Sequence, residues 1–118
     1  MISPVRKISK TEFKEIENYV EIKENAGLKV YWPLRDNPHQ ETDNIGIEIV
    51  LHNLNAMQNS AIIHFWYNKK STGSFADLQC AILLKKKIIL VNREIVEKTP
   101  EKSYENVLLY LHRLTAEF

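Results

Sequence analysis

Apolar residues recur along this chain at two spacings. In several segments they return every three or four positions, as in amphipathic helices, and short continuous apolar runs lie between those segments. The first helical segment starts after Ser9, which has capping-box spacing to Glu12, and ends at Gly27, a residue that readily adopts the left-handed conformation. This pattern predicts a first helix between Ser9 and Gly27.

Three more helices are predicted further along the chain. Apolar spacing over 47–57 indicates a second helix with a cap near Thr42 or Asp43, and a third helix is expected over about 74–85. Thr99 as the cap and Pro100 at the first helical position favour a fourth helix towards the C-terminus.

The apolar runs between these helices predict strands. Residues 1–6 resemble the end of a strand, and 28–32, 61–67 and 87–91 are the other three candidates. Strands that alternate with helices at this spacing predict a parallel sheet covered on both faces, with right-handed crossovers. We therefore expect an α/β fold in one domain over 1–118. Its centre would be a three-layer, flavodoxin-like or Rossmann-like doubly wound sheet of about four parallel strands in the order 2-1-3-4.

Composition narrows the classes of function. The 118 residues are 44% hydrophobic and 26% charged, with a net charge of +1, so the protein has no field that would attract a polyanion. A polymeric nucleic acid is not expected as a partner, nor is a membrane, because no apolar run is long enough to cross a bilayer. The single cysteine, Cys80, can form no internal disulfide, which fits a reducing cytoplasmic compartment. The histidines lack metal-ligand spacing, and neither a metal nor a cofactor is expected.

The most informative stretch is the polar loop at 71–77, between the apolar run at 61–67 and the third predicted helix. Asp77 ends this loop, so a carboxylate is predicted beside the free amide groups of a helix N-terminus, the usual ligand position in an open parallel sheet. The expected strand order places Ser3 and Pro4 on the opposite wall of the same crevice. The sequence therefore predicts a ligand site with an acid on its floor.

These residues resemble the nucleoside 2-deoxyribosyltransferase family and its relatives that hydrolyse deoxynucleoside 5'-monophosphates. The resemblance covers nearly the whole chain: a Ser-Pro turn after strand one, an Asn-rich second helix, a strand that ends in Tyr-Asn, a Gly-Ser-x-x-acid loop and a Lys-rich entry into an apolar strand. The loop is the specific part of the resemblance.

The resemblance implies that Asp77 is the catalytic nucleophile, with aspartate where the family usually has glutamate. It implies that Asn53 lies near the sugar or the base. It also implies that Ser71, which the monophosphate hydrolases share, favours a 5'-monophosphate as substrate. A homodimer or higher homo-oligomer is expected on the same ground. Gln79 stands where the family usually has glycine, and the first strand starts a few residues later than in family members.

Further residues suit the phosphate of such a substrate. The hydroxyls and backbone amides of Ser71, Gly73 and Ser74 are suited to hold it, and Arg6, which follows Ser3 on the other wall, has a planar fork that pairs with the same group. Arg6 has an alternative interpretation as a solvated loop residue. Ser3, Arg6 and the three loop residues are therefore candidate binding residues.

The base of the substrate has its own candidates. Trp32 ends a predicted strand, where an aromatic face can stack on a nucleobase, and Arg35 and Asp36 follow it in a loop where they can contact the base edge. The alternatives are that Trp32 packs in the core and that Arg35 and Asp36 form a surface ion pair of little energetic weight.

The sequence is compatible with three functions. The leading expectation is cleavage of an N-glycosidic bond, or deoxyribosyl transfer, on a nucleoside or nucleoside 5'-monophosphate through the Asp77 carboxylate. The alternative is a non-catalytic module that binds or senses a nucleotide, and a third is a plain interaction domain on the same fold. Ser74 and Asp77 also have the spacing of a capping box, which needs no substrate.

Overall fold

The computed structural model describes residues 1–6 and 8–116, and helices dominate them. Helices and strands follow one another along the chain in a single order. They are α1 (Lys10–Asn25), α2 (Pro33–Asp36), α3 (Ile47–Gln58), β1 (Ile62–Phe65), α4 (Thr72–Leu83), β2 (Lys87–Leu90), a 3-10 turn (Arg93–Ile95) and α5 (Tyr104–Ala116). No helix in these described ranges has the length and apolar character needed to cross a bilayer.

The sheet is smaller than the sequence predicts. β1 and β2 pair in parallel, with Ile62 opposite Lys87, and they form a sheet of two strands. The expected three-layer doubly wound sheet of four strands in the order 2-1-3-4 is therefore wrong: within the described residues, the protein is mostly helical around one strand pair.

The two missing strands make too few backbone contacts to form ladders. Ile2 forms an isolated parallel bridge to Phe65, but Pro4 follows closely and has no N–H group to continue a ladder. The segment 28–32 approaches the chain start through one backbone contact, from the Met1 ammonium to the Tyr31 carbonyl at 3.0 Å. One bridge and one hydrogen bond do not make a strand ladder.

The strand pair separates two apolar clusters. Alternate side chains of β1, Ile63 and Phe65, face the larger cluster, whereas Trp66 belongs to a smaller cluster against α1. The larger cluster is completed by buried residues of α3, α4 and α5, namely Met57, Leu78, Ala81 and Leu108. The smaller one contains Ile16 and Val20 of α1 with Trp32. Helices therefore cover both faces of a minimal sheet.

The exposed edge of β2 is closed by side chains of α5. The Ile88 amide donates to Thr115 Oγ1 at 3.1 Å, and the Leu90 amide donates to His112 Nδ1 at 2.9 Å. These contacts satisfy backbone donors that would otherwise invite pairing with another strand.

The predicted start and end of the first helix are confirmed. Ser9 Oγ accepts a hydrogen bond from the Glu12 amide at 3.0 Å, and Gly27 has a φ of 95° just beyond the helix. Asp43, one of the two residues predicted near the cap of the second helix, precedes the N-cap residue Gly46. Its carboxylate still accepts hydrogen bonds from the amides of Gly46 and Ile49 at the start of α3.

The helix predicted over about 74–85 is present, but α4 begins at Thr72, slightly ahead of that start. The start predicted for the last helix is wrong. α5 begins at Tyr104, later than the predicted start at Pro100, because Ser103 is the residue whose hydroxyl caps it by accepting from the Asn106 amide at 3.1 Å. The α4 difference changes the environment of the predicted nucleophile.

Candidate functional site

Asp77 lies in the second turn of α4, whose N-cap is Ser71. The predicted position beside the free amides of the helix N-terminus is therefore wrong, and so is the alternative of a capping box from Ser74 to Asp77. The Ser74 hydroxyl instead contacts that of Ser71 at 2.7 Å. The Asp77 side chain is left free of any local backbone role.

The Asp77 side chain lines a small cavity between α4, α3 and the chain start. The cavity measures about 20 Å³, room for about one water molecule, and it is partly open to the solvent. Its walls combine apolar and polar groups. They are Met1, Ile2, Tyr31, Pro33, Asn53, Ala56, Met57, Ser60, Ile63 and Asp77.

The Asp77 carboxylate has no hydrogen bond or ion pair with any residue in the described part of the chain. Burial in this mostly apolar wall raises the pKa of Asp77 to about 6, and the Met1 ammonium partly opposes the rise. Burial likewise lowers the pKa of that ammonium to about 6. The cavity thus contains a carboxyl group that is poorly solvated and free to bind another molecule.

A hydrogen-bonded network forms the adjoining wall. The Tyr31 hydroxyl contacts His52 Nδ1 and Asn53 Oδ1, both at 2.9 Å. Asn37, which is buried, donates to the same Asn53 oxygen at 2.9 Å. Burial, together with the nearby charges of Asp36 and Asp77, raises the pKa of Tyr31 to about 12. Tyr31 therefore remains a protonated hydroxyl throughout the physiological range.

Of the residues predicted for the site, Asn53 and Asp77 are brought together in this cavity. Ser3 and Trp32 are paired elsewhere: the Trp32 indole N–H donates to Ser3 Oγ at 3.2 Å, and both side chains are buried. Trp32 is 2% exposed and packs on Phe13 with ring centroids 5.3 Å apart. In this arrangement Trp32 presents no free face.

The predicted base contacts form their own ion-pair cluster. Arg35 bonds both carboxylate oxygens of Glu24 and also pairs with Asp36 at 2.7 Å. Asp36 in turn accepts from the Trp32 backbone amide at 2.8 Å. Arg35 and Asp36 thus brace the short helix α2.

The predicted phosphate contacts lie at the start of α4 and on the loop after Ile2. Ser71 and Gly73 are at least partly accessible, whereas Ser74 is buried. A Cβ atom added at Gly73 would meet nothing within 4 Å, so the packing of the protein itself does not require glycine there. Arg6 is exposed, and no hydrogen bond or ion pair joins it to any other described residue. The roles of these residues stay predictions.

A larger cavity lies elsewhere, after the carboxyl end of β1. It has a volume of about 330 Å³. It is lined by Ser9, Thr11, Glu12, Glu15, Trp66, Asn92, Glu94 and Ile95. The Glu12 carboxylate in this wall accepts hydrogen bonds from the Trp66 indole N–H at 3.1 Å and from the Asn68 side-chain amide at 3.0 Å. Its acidic lining does not suit a phosphate.

Tyr31, Asn37 and His52 were not among the residues predicted for the site. A signal for Tyr31 existed: neighbouring side chains of an extended segment point to opposite sides, so a core position for Trp32 implies that Tyr31 faces the other way. His52 has a weaker signal, because it precedes Asn53 on α3 and only the fold shows which tyrosine it meets.

Comparisons with family models, with curated proteins and with solved structures found no match to this chain. In the described part of the chain, no group of three or more His, Cys, Asp or Glu side chains is arranged to hold a metal ion. The function must therefore be inferred from the sequence and from the site itself.

Proposed function

We propose that this protein cleaves the N-glycosidic bond of a nucleoside or nucleoside 5'-monophosphate, by hydrolysis or by deoxyribosyl transfer, with Asp77 as the nucleophile. The observation that supports this proposal best is the Asp77 carboxyl group, which lines a cavity and has no hydrogen-bond partner among the described residues. The resemblance of the 71–77 loop to the deoxyribosyltransferase family points to the same residue.

The chemistry requires an ionised carboxylate beneath the anomeric carbon. An oxygen of Asp77 bonds to C1', the bond from C1' to the base nitrogen breaks, and its electron pair leaves with the base, which takes up a proton. Water or a second base then attacks C1' and releases the carboxylate. Because the pKa of Asp77 is about 6, the rate is expected to rise with pH through that value.

The volume of the cavity sets a structural requirement. About 20 Å³ is too small for a sugar ring, so the substrate must lie mostly outside the cavity, on the surface in front of Asp77. Helix α3, which contributes Asn53 and Met57 to the cavity wall, also exposes apolar side chains elsewhere on its surface. We propose that a second copy of the chain covers them and encloses the substrate. Ile47, Val50 and Leu51 each expose about half of their surface.

A 5'-monophosphate is the preferred form of the substrate in this proposal. Ser71 and Gly73 at the start of α4 offer a hydroxyl and an accessible backbone, and Arg6 is a cation without a partner among the described residues. The single cysteine, which is free, supports a reducing cytoplasmic compartment for this activity.

The test is a panel of deoxynucleosides and their 5'-monophosphates, with release of the free base followed by chromatography. Wild-type protein is expected to release base, and Asp77→Asn to lose at least about 1,000-fold in rate, because the amide cannot attack C1'. Glu12→Gln is the matched control, since it neutralises a carboxylate in the other cavity and should keep the wild-type rate. Equal rates in wild type and Asp77→Asn would contradict the proposal.

A second candidate function is a non-catalytic nucleotide-binding module. The water-sized cavity favours it, because binding on the surface in front of the cavity needs less room beside Asp77 than attack on a sugar does. A nucleotide that raises the melting temperature without any base release would support this module and exclude the enzyme.

A further inference from the structure

In the network beside Asp77, the contacts with backbone groups determine which atom of each hydrogen bond is the donor. Asn37 Oδ1 accepts from the His39 amide at 2.9 Å, and Asn37 Nδ2 donates to the Ile49 carbonyl at 3.1 Å. A backbone amide can only donate and a carbonyl can only accept, so these two contacts determine which end of the Asn37 side chain is oxygen and which is nitrogen. Its NH₂ group therefore faces Asn53 at 2.9 Å.

The orientation of Asn53 follows from that of Asn37. An NH₂ donor must meet the oxygen of the Asn53 amide, and the same oxygen lies 2.9 Å from the Tyr31 hydroxyl. An amide oxygen cannot donate, so Tyr31 is the donor in this contact and its single proton is used.

His52 must then supply the proton for the remaining contact. Its Nδ1 lies 2.9 Å from the Tyr31 oxygen, which has no proton left to give, so Nδ1 carries the hydrogen and donates. A neutral imidazole has one N–H group, which leaves Nε2 as a hydrogen-bond acceptor. The Tyr31 and His39 rings pack on His52, with centroids 5.7 Å and 5.8 Å away, and hold its plane.

We propose that Tyr31 is a positioning residue that presents His52 Nε2 as an acceptor for the exocyclic amino group of an adenine or cytosine base. This inference rests on the proposed function, because Tyr31 and Asn53 both line the Asp77 cavity and Tyr31 holds His52 beside it. No described residue bonds to His52 Nε2. A fixed acceptor pairs with an amino group and repels the keto oxygen at the same place on hypoxanthine or uracil. His52 is thereby a specificity-determining residue.

The first test reads the tautomer and needs no ligand. Nitrogen-15 NMR of the histidine rings at about pH 8, above the ordinary titration range of imidazole, should show His52 protonated at Nδ1. His112 is an internal reference with the other tautomer. Its Nδ1 accepts from the Leu90 amide, so its proton must be at Nε2. Tyr31→Phe should move the His52 proton towards Nε2 and leave His112 unchanged. A wild-type His52 protonated at Nε2 would overturn the inference.

The second test compares ligands that differ in one group: deoxyadenosine with deoxyinosine, and deoxycytidine with deoxyuridine, each as the 5'-monophosphate. We expect the amino member of each pair to be favoured about tenfold or more, in base release and in thermal-shift affinity. Tyr31→Phe should reduce this ratio to near one while the protein keeps its fold.

The outcomes separate the two proposals. A preference for the amino bases in binding, without base release, supports the His52 inference and contradicts the catalytic function. Base release with equal rates for amino and keto bases supports the catalytic function and overturns the inference. If no nucleotide in the panel binds or reacts, both are rejected.

Discussion

Two carboxylates, Asp77 and Glu12, lie in two different cavities and have opposite hydrogen-bonding environments. Glu12 lines the space of about 330 Å³ and accepts hydrogen bonds from the Trp66 indole and the Asn68 amide. Asp77 lines the space of about 20 Å³, and no described residue donates to it. The hydrogen bonds of Glu12 link α1 to the segment after β1, whereas Asp77 forms no such link between parts of the described chain.

The difference shows how hydrogen-bond donors change what a carboxylate does in the fold. A carboxylate with donors stabilises the fold, and its oxygens are occupied. A buried carboxylate without donors costs stability when it is ionised, and its oxygens remain available for a substrate. Natural proteins keep such a cost where activity depends on it.

The largest expected effect is on stability at Asp77. Because the pKa of this acid is raised to about 6 by folding, the native protein binds the proton more tightly than the unfolded chain does. Stability must therefore fall as pH rises from about 4 to about 6 and stay low above that. Asp77→Asn removes this loss and should be more stable than wild type by about 2 kcal/mol at pH 7, allowing for partial solvation.

Urea unfolding of wild type and Asp77→Asn at a series of pH values measures this effect. The two proteins should converge at low pH and separate as pH rises. A variant less stable than wild type at pH 7 would show that the Asp77 carboxylate has stabilising donors after all.

The opposite sign is expected for Glu12→Gln. An amide in place of the carboxylate has one acceptor oxygen where there were two, and its NH₂ group meets the donors of Trp66 or Asn68. Because Trp66 is buried, a donor left without a partner there should cost about 1 to 2 kcal/mol. Thermal and urea unfolding at pH 7 would check this, and a gain in stability would remove the contrast with Asp77.

A smaller loss is expected from Ser9→Ala, at the cap of the helix that carries Glu12. The Ser9 hydroxyl accepts from the Glu12 amide at 3.0 Å, and removal of such a cap costs about 1 kcal/mol. Ser9→Asp, which keeps an acceptor, is the matched control and should stay close to wild type. Equal stability of Ser9→Ala and wild type would indicate that water replaces the cap.

The smallest effect is expected at a third carboxylate, Glu17, which pairs with the exposed Lys14 at 3.0 Å on the surface of α1. Such pairs are screened by solvent and salt. Glu17→Gln should leave the urea midpoint unchanged within error. A loss as large as that of Glu12→Gln would mean that charge number alone, and not the environment, governs these acids.

Helices were predicted better than strands, and the reason is the range of the contacts that make them. The Ser9 cap and the Gly27 stop depend on residues within a few positions, so the local pattern was enough to find them. The error at α5 is also local: both Thr99 and Ser103 are capping residue types, and the turn before the helix selected Ser103. Strand pairing depends on distant partners, which the local pattern does not contain.

The sequence by itself determined the four longer helices and that Asn53 and Asp77 lie on two different ones. It did not determine the short helix α2, which lies in a segment predicted as a loop, or that Gly73 and Ser74 belong to α4. Only the tertiary structure decided that Asp77 has no donor, that Asn53 shares its cavity, and that Tyr31 meets His52 across 21 positions of the chain. Helix formation is governed by neighbours along the chain. The solvation of an acid and the direction of a hydrogen bond are set by whatever distant groups the packing brings to them.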